Sequence, residues 1–375
     1  MKLKNLLLFG LIFLFIASCG KKEENVIKIG HIAPLTGDAA QWGKWEVEGI
    51  TLAVGEINQN GGIFGRRLEI IHEDDKASPQ VAVSIIQKFI NINKMRAVIG
   101  ATLSSTTLAC APIAEKNKVV LLSPSAQSPK ISEAGDFIFR LFVSSTVEGK
   151  YLADLADHYN IRTVGILYIN NDYGLGLKNE IATQLSGKNT LITATERYDA
   201  ETKNFRAQIN NIKRANVDAI YLLGYPLDMA TALIQIKELG VKSIIFAPDS
   251  FEAEEIITIA KSAAEGVIYV YPILLDVDYG KNIRQKFYDK YNIEMNIYNA
   301  MGYDAVKILA YSIEQVLAED KIFNGELIKE QLYRIKDFKG ITGLITFDGN
   351  GDVKDRPMEI RVVKNGKFII LTNSS

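Results

Sequence analysis

The segment from Val98 to Pro129 restricts the possible folds of this chain more than any other part of it. It contains two apolar, strand-like runs with a helical pattern between them, and each run ends in a loop of small hydroxyl residues. This order is typical of an open α/β sheet, in which ligands bind outside the carboxyl ends of the strands. Ser104 or Ser105 should lie near a helix N-terminus, where hydroxyl and backbone N–H groups can hold a carboxylate. Simple helix capping is the alternative role for these serines.

Strand and helix patterns alternate along the rest of the chain. A strand is predicted over 26–32, a helix over 43–60 that ends at two glycines, a strand over 67–72 and a helix that begins at Ser78 and Pro79. The alternation starts again after 137–141 and changes near Pro272, where three helical stretches precede the last strands. Such alternation predicts parallel sheets covered by helices. A chain that fills one α/β domain, then another, and then returns favours a hinged cleft between them.

The N-terminus predicts export. Lys2 and Lys4 precede a short apolar run, which ends in Ile16, Ala17, Ser18 and Cys19. Signal peptides have a charged start, an apolar core that is too short to span a membrane comfortably, and small residues before a cleavage point. Cys19 directly after the small residues resembles a bacterial lipobox, with Ile16 in place of the usual leucine. We therefore expect residues 1–18 to be removed, Cys19 to carry a lipid and residues 19–25 to form a tether; a plain secretory signal is the alternative.

The charge and cysteine content narrow the possible functions. Without residues 1–18 the chain would have 41 basic and 44 acidic residues, a net charge of −3, and no basic patch stands out. Nucleic acid is therefore not an expected partner. Cys110 is the only cysteine besides Cys19, so the domains would have no internal disulfide, and its neighbours predict a small buried side chain. We find no phosphate loop, nucleophile elbow or Cys/His metal cluster, and expect no enzyme activity, cofactor or metal.

Many short motifs, in order and at the right spacing, make this chain similar to one family. They include 29–37, 40–43, 56–65, 73–75, 98–107, 123–126, 171–174 and 224–226. Over essentially the whole mature chain the sequence resembles the leucine/isoleucine/valine-type amino-acid-binding proteins, the solute receptors of branched-chain amino-acid ABC transporters.

The resemblance implies an α/β fold of the type I periplasmic binding protein class. Two doubly wound, Rossmann-like lobes would be joined by three crossings around a ligand cleft. We expect one lobe to comprise residues 26–144 plus 274–345 and the other to comprise 145–273 plus 346–375. The protein would be a monomer that faces the periplasm or the outer cell surface and delivers an amino acid to ABC permease subunits.

The resemblance also implies roles for eight residues, which are Trp42, Ser104, Ser125, Ala126, Gln127, Tyr173, Tyr225 and Asp249. Ser104 would bind the ligand carboxylate, and the loop 125–127 would offer backbone groups, with the Gln127 amide oxygen replacing a family hydroxyl near the ammonium. Trp42 would form a wall of the side-chain pocket. Tyr173 and Tyr225 would cover the ligand as the cleft closes. Asp249 would pair with the ammonium, where well-known family members have glutamate.

Other interpretations remain open at this point. Trp42 and the tyrosines could be ordinary half-buried aromatic residues, and Asp249 could cap a helix beginning near Glu252. The ligand could be an amide, an aromatic acid or urea instead of a branched-chain or other hydrophobic amino acid. The protein could also be a ligand-sensing module of a signalling system.

Overall fold

The computed structural model of the protein describes residues 26–274, 278–319, 322–353 and 356–371. The expected signal peptide, the tether and Cys19 lie outside these residues. The first part of the chain forms a parallel sheet with the strand order β2-β1-β3-β4-β5. Its strands are β1 (Val26–Ala33), β2 (Arg67–Asp74), β3 (Ala97–Gly100), β4 (Val120–Ser123) and β5 (Ile138–Arg140). Helices α1 (Ala40–Gln59), α2 (Pro79–Asn91) and α3 (Ser104–Lys116) connect them.

A second sheet follows, with the order β14-β13-β10-β9-β8-β6-β7. Its parallel strands are β6 (Thr163–Ile169), β7 (Leu191–Tyr198), β8 (Ala219–Leu223), β9 (Ile244–Ala247) and β10 (Ile268–Pro272). Helices α4 (Ser145–His158), α5 (Asp172–Leu185), α6 (Arg206–Arg214), α7 (Pro226–Glu238) and α8 (Glu254–Ala260) alternate with these strands.

The last third of the chain adds elements to both sheets. It contains helices α9 (Asp278–Tyr291), α10 (Ile297–Ala318) and α11 (Gly325–Arg334), then a small hairpin of β11 (Phe338–Gly340) and β12 (Gly343–Ile345). Strands β13 (Met358–Lys364) and β14 (Lys367–Ile370) then add antiparallel to the second sheet. Because α10 packs against α1, the chain returns to the first sheet before it ends on the second. The predicted two-lobed α/β architecture is therefore confirmed.

Local sequence signals explain several element boundaries. Ser78 caps α2 by accepting a hydrogen bond from the Val81 N–H, with Pro79 at the first helical position. Asp74 accepts hydrogen bonds from the backbone N–H groups of Leu35 and Lys76, and so fixes the loop before this helix. Cys110 is fully buried, as predicted.

The third crossing between the lobes lies near β5. Asp352 forms a parallel bridge with Arg140, and its carboxylate accepts hydrogen bonds from the Arg140 guanidinium at 2.6 and 2.8 Å. Phe347 packs against Phe139 of the same strand. These contacts place the turn around residues 347–353 on the first sheet. We therefore propose that the crossing follows residue 353, later than the expected boundary at 345/346.

Candidate functional site

The predicted site residues follow the carboxyl ends of strands in both sheets. In the first sheet, Ser104 follows β3, while Ser125 and Gln127 follow β4. In the second sheet, Tyr173 follows β6, Tyr225 follows β8 and Asp249 follows β9. Since the carboxyl ends of parallel strands share one edge, each lobe presents its share of the site along one rim.

A cavity of about 30 Å³ lies between these two rims. Six of the eight predicted residues line it, which are Trp42, Ser104, Ser125, Gln127, Tyr173 and Tyr225. Thr102, Leu103, Ser250 and Tyr298 complete the lining. A cavity of this size has room for about two water molecules. An amino acid could enter only if the lobes or the aromatic rings moved.

Ser104 begins α3, but its hydroxyl does not cap that helix. The N-cap residue is Leu103, which makes no side-chain cap bond. Instead, the Ser104 Oγ accepts hydrogen bonds from the backbone N–H groups of Gln127 (3.2 Å) and Ser128 (3.1 Å). These two bonds use only the oxygen, so the hydroxyl hydrogen can be donated to a ligand. The capping alternative is therefore excluded for this serine.

Ser125 and Thr102 belong to a buried polar network behind the cavity. The Ser125 hydroxyl donates to Glu46 Oε1 at 2.5 Å, and the Thr102 hydroxyl donates to Glu46 Oε2 at 2.7 Å. His31 Nε2 lies 3.2 Å from the same Oε2 atom, and its Nδ1 lies 2.8 Å from Nδ1 of His72. Burial, followed by the neighbouring His31, lowers the pKa of His72 to about 4. The network fixes the Ser125 hydroxyl toward Glu46 and away from a ligand.

Asp249 lies just behind the cavity lining and is fully buried. Its Oδ1 accepts from the Gln127 amide at 2.9 Å, and its Oδ2 accepts from the Tyr298 hydroxyl at 2.6 Å. Helix α8 instead begins after Ala253, and Asp249 makes no cap bond to it. The second capping alternative is thereby excluded. The nitrogen of the Gln127 side-chain amide points toward Asp249. The oxygen of this amide, Oε1, is buried and has no hydrogen-bond partner among the described residues.

Ala126 is buried within the first lobe and does not line the cavity. Its backbone N–H donates to the Ser123 hydroxyl at 3.1 Å. The Gln127 N–H is likewise taken by Ser104. The structure therefore directs these two N–H groups of the 125–127 loop to the protein itself, and Ser104 presents the donor to the cavity.

Aromatic rings form the remaining walls. Tyr173 and Tyr225 stack with planes 4° apart and centroids separated by 5.9 Å. Trp42 meets Tyr225 edge-on at 4.9 Å and lies 6.3 Å from Tyr298, between centroids. The Tyr173 hydroxyl is hydrogen-bonded to that of Ser250 at 3.2 Å. Flat apolar faces with polar tips suit a ligand that has both an apolar and a polar part.

Two kinds of contact hold the rims together beside the cavity. The Ser105 hydroxyl donates to the Asp172 carboxylate at 3.0 Å, and Lys130 pairs with the same carboxylate at 3.0 Å. Lys130 is largely exposed, so its ion pair adds little stability. The buried Gln127–Asp249 and Tyr298–Asp249 bonds also join the two lobes.

Sequence reasoning missed Tyr298 and the network around Glu46. Tyr298 lies in the first turn of α10, 49 positions after Asp249, and the long apolar pattern of that helix hides it among core residues. Its capping box, built by Asn296 and Asn299, was a signal that a helix begins there, but not that this end faces the cleft. No group of three or more His, Cys, Asp or Glu side chains in the described part of the chain is arranged to hold a metal. Within the same part, no helix is both long and apolar enough to cross a membrane.

Comparison with known proteins gives one consistent result. The family model described as "Periplasmic binding protein" matches residues 26–367. The Leucine-, isoleucine-, valine-, threonine-, and alanine-binding protein of Pseudomonas aeruginosa is 31% identical over 337 residues, which are 88% of each chain. The crystal structure of the leucine-binding protein LivK from Thermotoga maritima superposes with a TM-score of 0.85 at 28% identity, covering 92% of this chain and 98% of that one. A second solved structure is LivJ from Streptococcus pneumoniae, a branched-chain amino acid transporter substrate-binding protein in complex with isoleucine. It superposes with a TM-score of 0.83 at 27% identity, covering 92% of this chain and 99% of that one. The rims of strand ends, the cavity between two lobes and these matches together show that this chain belongs to the periplasmic binding protein family.

Proposed function

We propose that this protein is an extracytoplasmic receptor that binds an amino acid between its two lobes and delivers it to an ABC permease. The observation that carries this proposal is that a hydrogen-bond donor and two buried acceptors meet at one cavity between the lobes. The Ser104 hydroxyl and the Gln127 side chain line the cavity, the Gln127 Oε1 has no partner among the described residues, and the buried Asp249 lies just behind the lining. An α-amino acid carries a carboxylate and an ammonium and so matches both.

The carboxylate is assigned to the Ser104 side. The hydroxyl of Ser104 is held by two backbone N–H groups, and each of these bonds polarises it toward donating its own hydrogen. A ligand carboxylate accepts such a hydrogen, and bonds to charged groups are about twice as strong as neutral ones. Ser104 also begins a 13-residue helix, whose N-terminal dipole favours an anion.

The ammonium is assigned to Asp249 and Gln127. An ammonium only donates hydrogen bonds, so it needs acceptors once the closed cleft strips it of water. The partnerless Gln127 Oε1 and the Asp249 carboxylate provide a neutral and an anionic acceptor on adjoining groups.

The ligand side chain would contact Trp42, Tyr225 and Tyr298. These rings favour an apolar group, and the related proteins named above bind leucine, isoleucine, valine, threonine or alanine. We infer that the ligand is a branched-chain or other hydrophobic amino acid. The proposed location is the periplasmic face of a membrane or the outer cell surface, with a lipid on Cys19 as anchor and the protein a monomer.

A thermal-shift screen of the mature protein against the twenty amino acids tests this function. A ligand at 100 times its dissociation constant raises the free energy of unfolding by about 2.7 kcal/mol, which gives a clear increase in Tm. Acetamide, benzoate and urea serve as controls that carry only part of the amino-acid chemistry. A shift with one of these compounds, and none with any amino acid, would refute the proposal in favour of another solute.

A further inference from the structure

A second carboxyl, that of Glu148, is buried directly beside Asp249. Glu148 lies in the first turn of α4, and its Oε1 accepts a hydrogen bond from the Asp249 backbone N–H at 2.8 Å. Its Oε2 is buried and has no hydrogen-bond partner among the described residues. Both side chains are completely inaccessible to solvent.

Within the described part of the chain, no basic side chain forms an ion pair with either carboxyl. The partners of Asp249 are the neutral Gln127 amide and Tyr298 hydroxyl. Arg140, which contacts the loop that carries Gln127, is engaged by Asp352 and by the carbonyls of residues 127 and 128. Two ionised carboxylates in contact, away from water, would each lack compensation.

The pair therefore holds a proton before any ligand binds. Burial, and then the charge of Asp249, raises the pKa of Glu148 well above its ordinary value. A buried carboxyl next to a second carboxyl keeps its proton to a higher pH than an exposed one. The remaining titratable groups that face the pair are the phenols of Tyr173 on α5, Tyr298 on α10 and Tyr271 on β10, whose pKa values are raised mainly by burial. These phenols stay neutral near pH 7 and do not compete for the proton.

We propose that Glu148 is a second determinant of cation recognition, and that binding of the ligand ammonium at Asp249 releases the proton that Glu148 holds. The step balances: the ammonium replaces the proton as the positive charge, and the proton passes to the solvent. The inference rests on the proposed function, because it requires a ligand with an ammonium group. It predicts that the site binds cationic amines more tightly as the pH rises.

Isothermal titration of the mature protein with L-leucine and with L-alanine tests the inference. Titrations at one pH in phosphate and in Tris, whose ionisation enthalpies differ, reveal a released proton as a buffer-dependent heat. We expect such a heat for the wild type, and an affinity that rises by up to tenfold per pH unit wherever one full proton is released.

Glu148→Gln is the diagnostic variant. The glutamine oxygen can still accept from the Asp249 N–H, while the neutral amide mimics the protonated carboxyl. We expect no buffer-dependent heat and no pH dependence, so that the affinity of this variant falls increasingly below that of the wild type as the pH rises. If this variant does not fold, Glu148→Met provides the same neutral side chain without the amide.

Asp75→Asn is the matched control. Burial raises the pKa of Asp75 to about 7, so this carboxyl also titrates near neutrality, but it lies in the loop after β2. The control should keep the proton release. Buffer-independent heats in the wild type, or a release that persists in the Glu148 variants or disappears in Asp75→Asn, would overturn the inference. Absence of binding by any amino acid would instead refute the proposed function.

Discussion

The Tyr298 hydroxyl donates to Asp249 Oδ2 at 2.6 Å, and this buried bond connects α10 on the first lobe with the loop after β9 on the second. Asp249 accepts hydrogen bonds from two groups of the opposite lobe, and we propose that it also pairs with the ligand ammonium. Ligand binding and closure of the lobes would then depend on the same carboxylate.

Asp249→Asn should weaken amino-acid binding by about 2–5 kcal/mol, or roughly 30- to several-thousand-fold, because a buried ammonium loses its counter-charge. The ligand-free protein should also lose stability, because the amide nitrogen of asparagine replaces one of the two oxygens that accept from Gln127 and Tyr298. Isothermal titration and denaturant unfolding measure the two effects. Glu254→Gln, an exposed change on α8, is the control. Binding by Asp249→Asn within threefold of the wild type would place the ammonium elsewhere.

Ser104→Ala should cost about 1.5–3 kcal/mol of binding free energy, the worth of one hydrogen bond to a charged group. It also leaves the buried N–H groups of Gln127 and Ser128 without their acceptor, so the free energy of unfolding should fall by about 1–3 kcal/mol. Ser84→Ala, on the exposed face of α2, should change neither quantity appreciably. Unchanged affinity in Ser104→Ala would mean that another group holds the carboxylate.

Gly49→Ala should destabilise the protein by about 1–3 kcal/mol, because a Cβ there would overlap the backbone carbonyl of Asn299 where α1 crosses α10. Gly55 lies on the same helix with no neighbouring atom within 4 Å of such a Cβ. Gly55→Ala should therefore stabilise the protein by about 0.4–1 kcal/mol. Denaturant unfolding compares the pair, and equal effects would argue against close packing of these helices.

A saturating amino-acid ligand should reduce the radius of gyration measured by small-angle scattering. The cavity of about 30 Å³ between the rims is too small to admit an amino acid, so we expect the ligand-free protein in solution to populate a more open form than this structure, which closes on the ligand. A few residues at element ends suffice for such a hinge. Asp249→Asn, at the same ligand concentration, should show less contraction. Identical profiles with and without ligand would indicate a site that admits its ligand without lobe movement.

Cys19→Ser should move the protein, expressed in a bacterium, from the detergent phase to the aqueous phase. A lipid on Cys19 would supply the membrane affinity that detergent partitioning measures. Cys110→Ser is the matched control, as its buried thiol does not reach the surface. Aqueous partitioning of the wild type would contradict lipidation.

The sequence by itself determined the elements and the edge at which the site lies. Hydrophobic periodicity and caps such as Ser78 act over a few residues, so they predict strands and helices and, from parallel alternation, the position of Ser104 at a strand end. Tyr173 and Tyr225 were identified from the resemblance to the family. The tertiary structure decided which polar groups meet. Asp249 contacts Gln127, Glu148 and Tyr298, all far away in the chain, and Ala126 turns its N–H inward. Such pairings depend on how two lobes and a returning helix are placed in space, and no local pattern records that placement.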